Sequence, residues 1–374
     1  MSAPYNIAFQ QWFTAGQLLA LENGGLAQDG QHPASHSVTQ LSTYTGDQAV
    51  ASTPGTLPLP SAVRTRRIAW PSAIGIVLYH TLALFAIWPW LFSWTGLALA
   101  GCGCYLFGTL GINLCFHRLL THRGFACPQW LERTLALIGV CCLQDTPARW
   151  VATHRLHHQH SDEQPDPHSP LVNFFWGHTG WLFVENDDTQ RMNLYERYAK
   201  DLIRDRFYRG LEKMGTWVWI NLAQWVVFFA VGFAIGWLTG DELMDGVQFG
   251  LSLLLWGVIV RTVLVWHITW SVNSVTHRWG YQNYPTGDSS RNNILVGIVS
   301  NGEGWHNNHH AQPRAARHGH RWWEFDVTWI TIKLLRSVGL VWDVVEPNLA
   351  RKTPEPIPAD PIPPVTDPTR SAVV

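Results

Sequence analysis

The chain has 374 residues, with Lys+Arg 26 against Asp+Glu 27 and a formal net charge of -1. Charged residues make up only 14%, against roughly 25% in an ordinary soluble domain. The balance excludes a nucleic-acid binder, which needs a basic face to neutralise phosphates. The 22 tryptophans are a residue type that favours membrane–water interfaces. The six cysteines, at 102, 104, 115, 127, 141 and 142, have no C-x₂-C or zinc-like spacing. Most lie in or beside apolar runs and read as reduced packing residues, not as a disulfide frame.

In chain order, residues 1–22 lack the basic and apolar regions of a signal peptide. Residues 5–22 could form a short amphipathic helix on a membrane surface. Residues 27–63 are rich in Ser, Thr, Gly, Pro and Gln and read as a flexible linker, which makes 1–63 a flexible N-terminal region. Ile68 to Phe116 then runs for 49 residues without an Asp, Glu, Lys or Arg. One membrane helix takes about 20 residues, so this run predicts two spans, 70–92 and 96–116, turning near Pro89 and Ser93–Gly96. A second apolar region predicts spans 216–238 and 246–270, separated by the acidic loop Asp241–Asp245. The expected architecture is an all-α integral membrane protein of four transmembrane helices in two hairpins. Segments 117–213 and 271–345 form a cap, and 346–374 form a Pro-rich disordered tail.

Basic residues set the orientation. Arg64, Arg66 and Arg67 precede the first span, twelve Lys/Arg fall in 117–213, and ten follow residue 270. The other two turns carry none, so the positive-inside rule puts both termini and the cap in the cytoplasm. Arg261, inside the fourth span, is expected to snorkel toward the cytoplasmic end. The alternative is a functional charge within the membrane.

Eight of the 18 histidines gather in three clusters: His117-Arg-Leu-Leu-Thr-His122, His154-Arg-Leu-His157-His158 and His306-Asn-Asn-His309-His310. His277 stands alone in Asn273-Ser-Val-Thr-His277. Spacings of i, i+3 and i+4 put imidazoles on one helix face. The topology puts all nine on one side of the membrane. Neutral imidazole suits Fe, Zn or Cu, and nine ligands exceed what one metal takes, so two metals are implied. His160, His168 and His178 lack this spacing and are expected behind the ligands or at the surface. His80 and His267 lie within spans and are expected to make polar contacts between helices. His32, His36, His318 and His320 are expected to face solvent. Two redox-active irons with O₂ can attack an unactivated C–H bond, and membrane placement implies a lipid-like substrate.

At these residues the sequence resembles the membrane-bound fatty acyl desaturases, close to the acyl-CoA and acyl-lipid Δ9 branch that includes stearoyl-CoA desaturases. Phe116 to Gly124, Trp150 to His158 with Asp162 and Asp166-Pro-His168, and Asn301 to His310 resemble that family's three boxes. The spelling of the third box and of Trp322-Trp323-Glu324 is closer to cyanobacterial and plant members. The resemblance implies a four-span fold whose cytosolic helical cap holds two Fe ions. Its ligands map to His117, His122, His154, His157, His158, His277, His306, His309 and His310, with Asn273 on a metal-bound water. It implies O₂-dependent insertion of a cis double bond into a saturated C16 or C18 acyl chain, CoA- or lipid-linked. Electrons would come from an external donor, a ferredoxin or a cytochrome of the b5 type, with its reductase. Gln144, Trp150, Thr269 and Trp270 are expected to wall the acyl tunnel, and Tyr105 to close its far end. Asp162, Asp166, Glu303 and His168 are expected to support the ligands from behind. The expected location is a bacterial inner membrane. The alternatives are a hydroxylase or acetylenase on the same scaffold, or a non-catalytic His-rich metal-binding membrane protein.

Overall fold

The computed structural model describes residues 56–189, 191–213, 215–356 and 360–363. The expected surface helix 5–22, most of the 27–63 linker, His32 and His36 lie outside the described residues. Strands β1 (Val63–Ile68) and β2 (Val184–Asn186) pair antiparallel, with Val63 opposite Asn186 and Arg64 opposite Glu185. The Arg64 guanidinium donates to Asp187 at 2.8 Å, which fastens the approach to the first span onto the cap.

Among the described residues, four helices are long and apolar enough to cross a membrane. They are α1, Trp70–Ala83 with its apolar run continuing to Ile87; α2, Trp94–Thr121; α9, Thr216–Thr239; and α10, Leu243–Ser274. Local chemistry sets their starts. Pro71 occupies the first turn of α1, where its missing N–H costs nothing. The Ser93 hydroxyl accepts from Gly96 N at 2.9 Å at the start of α2. Glu242 and Asp245 form a reciprocal capping box at the start of α10. Spans α9 and α10 approach through glycine, since a Cβ on Gly232 would lie 2.8 Å from Gly250 Cα. Small residues let helix backbones meet closely where lipid offers no competing hydrophobic force.

The second span runs further than its composition predicts. Its helix carries His117 and Arg118 and ends at Thr121, and from Cys104 onward it winds in π-helical geometry. Arg118 does not stop it, because the guanidinium is buried between Glu303 (2.8 Å) and Asp326 (3.0 Å). Arg261 also departs from expectation. It does not snorkel: it is 0% exposed and donates to Gly257 O, Cys141 O and Gln224 Oε1 at 3.1, 3.1 and 2.7 Å. Cys141 closes helix α3 (Gln129–Val140), so the negative end of that helix draws the cation inward. The Phe107 ring lies 4.0 Å from the guanidinium carbon.

The cap is built on α3, which lies back along α2: a Cβ on Gly111 would sit 2.6 Å from the Gly139 backbone. Helix α4 (Pro147–Gln159) follows, with Thr146 accepting from Arg149 N at its start. Five short helices come next: α5 (Phe174–His178), α6 (Arg191–Tyr198), α7 (Lys200–Arg204), α8 (Arg206–Leu211) and, beyond α10, α11 (Ile294–Val299). Helix α12 (His306–Ala311) and helix α13 (Val327–Ser337) complete the cap, α13 with Asp326 as its N-cap. The expected disordered tail is partly ordered. Glu355 N donates to Ala311 O at 2.8 Å and Asn348 N to Gln312 Oε1 at 2.8 Å. The open carbonyls at the end of α12 need such partners.

Candidate metal centre

The three histidine clusters and His277 converge from four places in the chain. The end of α2 brings His117 and His122, α4 brings His154, His157 and His158, the turn after α10 brings His277, and α12 brings His306, His309 and His310. They sort into two groups. His117, His122, His154, His158 and His309 each offer a nitrogen within 4.8 Å of the others, and so do His157, His277, His306 and His310. Box membership does not predict the sorting: α4 and α12 each supply both groups. His154, His157 and His158 lie on one face of α4, yet His154 and His158 join the five-histidine group and His157 the four-histidine group.

Carboxylates stand behind the rings. Nδ1 of His117 meets Glu303 at 2.7 Å, that of His157 meets Asp166 at 3.0 Å, and that of His277 meets Asp162 at 2.9 Å. Nδ1 of His310 meets Asp288 at 2.6 Å. The sequence reading missed Asp288, whose loop has no box spacing and reaches α12 only through the fold. It also misplaced His318. That ring is 1% exposed and its Nδ1 lies 3.2 Å from Glu303, because Glu303 and the His117 and His309 rings close over it. His168 is buried too, its ring 4.5 Å from His157 and its backbone N–H donating to Asp166 Oδ1.

The proton inventory tests whether metals fit. A carboxylate on Nδ1 fixes the neutral ring with its proton there and a lone pair on Nε2. His277 Nε2 and His310 Nε2 both face His306 Nε2, at 3.1 and 3.0 Å. One N–H on His306 satisfies only one of them. In the other group, His309 Nε2 faces His117 Nε2 at 3.1 Å and His158 Nε2 at 2.9 Å; the buried Nε2 atoms of His122 in this group and of His157 in the four-histidine group have no hydrogen-bond partner among the described residues. So many converging lone pairs at low exposure are costly unless cations take them. The donor set is neutral nitrogen, which suits Fe, Zn or Cu.

Electrostatics agree. Burial, reinforced by neighbouring imidazoles, pushes His122, His154, His158, His306 and His309 well below the ordinary imidazole range, which keeps them neutral as ligands. Burial would raise Glu303, but Arg118, His318 and His117 hold it well below the usual carboxylate range. Burial opposes ionisation of Asp162 as well, and His277 overrides it.

The other predicted residues divide. Trp150 Nε1 donates to Gln144 Oε1 at 3.3 Å, and Gln144 Nε2 donates to Thr269 Oγ1 at 3.0 Å. The Trp150 ring stands 5.1 Å from His154, so these three residues border the five-histidine group. Trp270 is buried and stacks on Trp266 at 5.7 Å. Asn273 is half-buried in the last turn of α10, four residues before His277. Tyr105 is 38% exposed and pairs through its hydroxyl with Thr331 of α13 at 2.8 Å. His80 and His267 make the expected contact between spans, at 3.0 Å. His320 is half-buried and bonds Tyr284, and His160 is half-buried at the end of α4.

Fold and site together define a four-span membrane protein whose cap gathers two all-histidine groups with the donor set of a metal site. The family model described as fatty acid desaturase matches residues 89–329, and the chain belongs to that family. It is 41% identical to the sn-1 stearoyl-lipid 9-desaturase of Anabaena variabilis, over 74% of this chain and 94% of the relative. It is 39% identical to the sn-2 palmitoyl-lipid 9-desaturase of Nostoc sp. (strain 36), over 76% and 93%. It is 38% identical to the acyl-CoA C20 Delta5-desaturase of Anemone leveillei, over 79% and 90%. The protein is therefore an oxidoreductase, a fatty acyl desaturase.

Proposed function

We propose that this desaturase inserts a cis double bond at the Δ9 position of a saturated C16 or C18 acyl chain carried on CoA or a lipid. The reading rests above all on the two groups of histidines, five and four, that converge beside Gln144, Trp150 and Thr269. The Δ9 position takes its support from relatives that are stearoyl-lipid and palmitoyl-lipid 9-desaturases.

The five-histidine group would hold one iron and the four-histidine group the other, and Asn273, four residues before His277, would serve the second. When bound, such a pair supplies the activation of O₂ and the removal of hydrogen from unactivated C–H bonds. The balance is one saturated chain, one O₂, two electrons and two protons giving one alkene and two waters. The electrons come from a separate ferredoxin or b5-type cytochrome with its reductase. This chain's residues orient and enclose. Glu303, Asp162, Asp166 and Asp288 hold Nδ1 protons so that Nε2 faces inward. Gln144 links Trp150 to Thr269 and fixes one wall beside the rings. Trp270 keeps water from the inner side, and the acyl tail runs between the spans toward Tyr105. The cap and both termini face the cytoplasm of a bacterial inner membrane, in keeping with the basic residues that flank the spans.

The test is expression in a host that makes no unsaturated fatty acids, with products profiled by chain length and bond position and metal counted on the purified protein. The expected result is about two irons per chain and a cis-9 product. A hydroxylated or acetylenic product, or full activity in a metal-free protein, overturns the reading.

A further inference from the structure

The five-histidine group has a neighbour that the reaction above does not use. His318, in the loop between α12 and α13, is 1% exposed. Its ring centroid lies 4.5 Å from that of His309, tilted by 34°, and 5.4 Å from that of His117, at 74°. The loop holds it in place. The His318 backbone N–H donates to Asp326 Oδ2 at 2.8 Å, and its carbonyl accepts from Asn308 Nδ2 at 2.8 Å. Two residues earlier, Ala316 O accepts from the Arg118 guanidinium at 2.7 Å. One residue later, a Cβ on Gly319 would run into Glu324 O, so the chain passes there only as glycine.

The proton inventory around this ring is uneven. Glu303 Oε1 accepts two N–H groups of Arg118, at 3.0 and 2.8 Å. Oε2 meets His117 Nδ1 at 2.7 Å and has a lone pair for one more donor. His318 Nδ1 is the group within reach, at 3.2 Å and off the ideal line. Burial, with Arg118 adding to it, brings His318 down to about 4, so the ring is neutral and carries one N–H and one lone pair. A proton on Nδ1 leaves the lone pair on Nε2, which has no hydrogen-bond partner among the described residues. His309 shows the converse. Its Nε2 faces the Nε2 atoms of His117 and His158, where a metal would take its lone pair, so its proton belongs on Nδ1. That buried Nδ1 also has no partner among the described residues. An unpaired donor and an unpaired acceptor therefore sit on adjoining rings. A side chain wanted only to fill this space would be apolar, because buried polar groups left unpaired are costly.

We propose that His318 is a positioning residue of the five-histidine group: its Nε2 accepts a hydrogen bond from His309 Nδ1–H, and its own Nδ1–H donates to Glu303. The χ2 torsion of histidine is broad, which lets the two rings turn to close the pair. Glu303 then stands behind two ligands, His117 directly and His309 through His318. His309 gains the fixed tautomer and stronger Nε2 donor that carboxylate backing provides. The inference rests on the reading that this group holds a metal, and it adds a residue that lies outside the three histidine boxes.

The test loads the full-length protein with ferrous iron in detergent and removes the metal with a graded chelator, counting iron per chain. His318→Phe keeps a ring of similar volume and removes both nitrogens. It should leave the thermal midpoint near that of the wild type, weaken one of the two metals by about 10- to 100-fold and leave the other unmoved. His318→Gln, whose amide can both donate and accept, should restore part of the loss. In combination with Glu303→Gln the losses should not add, since His318 acts through that carboxylate. Should His318→Phe fail to fold, His318→Met against His318→Gln carries the same comparison, with similar length and no hydrogen bonds in the first. Wild-type affinity at both metals in His318→Phe, equal affinity in the Gln and Met variants, or additive losses with Glu303→Gln overturns the inference and leaves the two-metal reading standing. A wild-type protein that binds a single iron overturns the two-metal reading, and the inference falls with it.

Discussion

The two histidine groups are built differently. In the four-histidine group, three rings are backed by carboxylates: His157 by Asp166, His277 by Asp162 and His310 by Asp288. In the five-histidine group only His117 has such a partner among the described contacts, and its Glu303 is shared with Arg118. A carboxylate on Nδ1 fixes the tautomer, aims the ring and makes Nε2 a stronger donor. The first group is therefore rigid and electron-rich. The second is held mainly by burial and by neighbouring rings, and it borders Trp150. The difference suits a division of labour in which one metal is anchored and the other keeps latitude beside the substrate wall.

The harshest way to break the comparison is to remove a ligand from each side. His157→Ala and His309→Ala should each abolish activity, measured as unsaturated product per protein, while all four spans still insert. Full activity in either variant removes the two-metal assignment.

Removing Glu303 tests the shared carboxylate. Glu303→Ala strips the buried Arg118 of one of its two anions, and breaking a buried pair costs about 3–5 kcal/mol. Thermal unfolding in detergent should show a marked loss of stability, with Glu303→Gln less affected. An unchanged midpoint in Glu303→Ala shows that Asp326 suffices.

Chelator titration sharpens the contrast. Metal should leave in two steps, with the five-histidine group emptying first. Asp288→Asn should weaken the four-histidine site by about 10- to 100-fold and merge the two steps. Two steps that stay apart in that variant mean that Asp288 does not set affinity.

Smaller effects are expected at the substrate wall. Trp270→Ala should scatter the bond position or lower the rate with metal content unchanged, as read by mass spectrometry of the products. Smallest of all is Tyr105→Ala, which opens volume beside α13 and breaks the hydrogen bond to Thr331. It should shift the product ratio from 16 toward 18 carbons. An unchanged ratio removes Tyr105 as the tunnel end.

Much of this molecule is legible in its sequence because the bilayer admits few solutions. A charge-free run must become helix, since no water satisfies the backbone there, and four such helices are present within a few residues of the expected limits. The boxes are legible for a similar reason: imidazoles at i, i+3 and i+4 share a helix face whatever surrounds them. Other features are set by partners distant in the chain. Arg261 alone reads as a snorkelling cation, and only the end of α3 explains why it turns inward. His318 alone reads as a surface residue until Glu303 folds over it.

The sequence by itself determined the number of spans, the basic flanks and the identity of the nitrogens, because composition and helical period are local properties. Only the tertiary structure decided which imidazole joins which group, which carboxylate stands behind it, and that the His80, His267 and His178 rings meet one another. Those facts depend on contacts between residues far apart in the chain, and no local pattern encodes them.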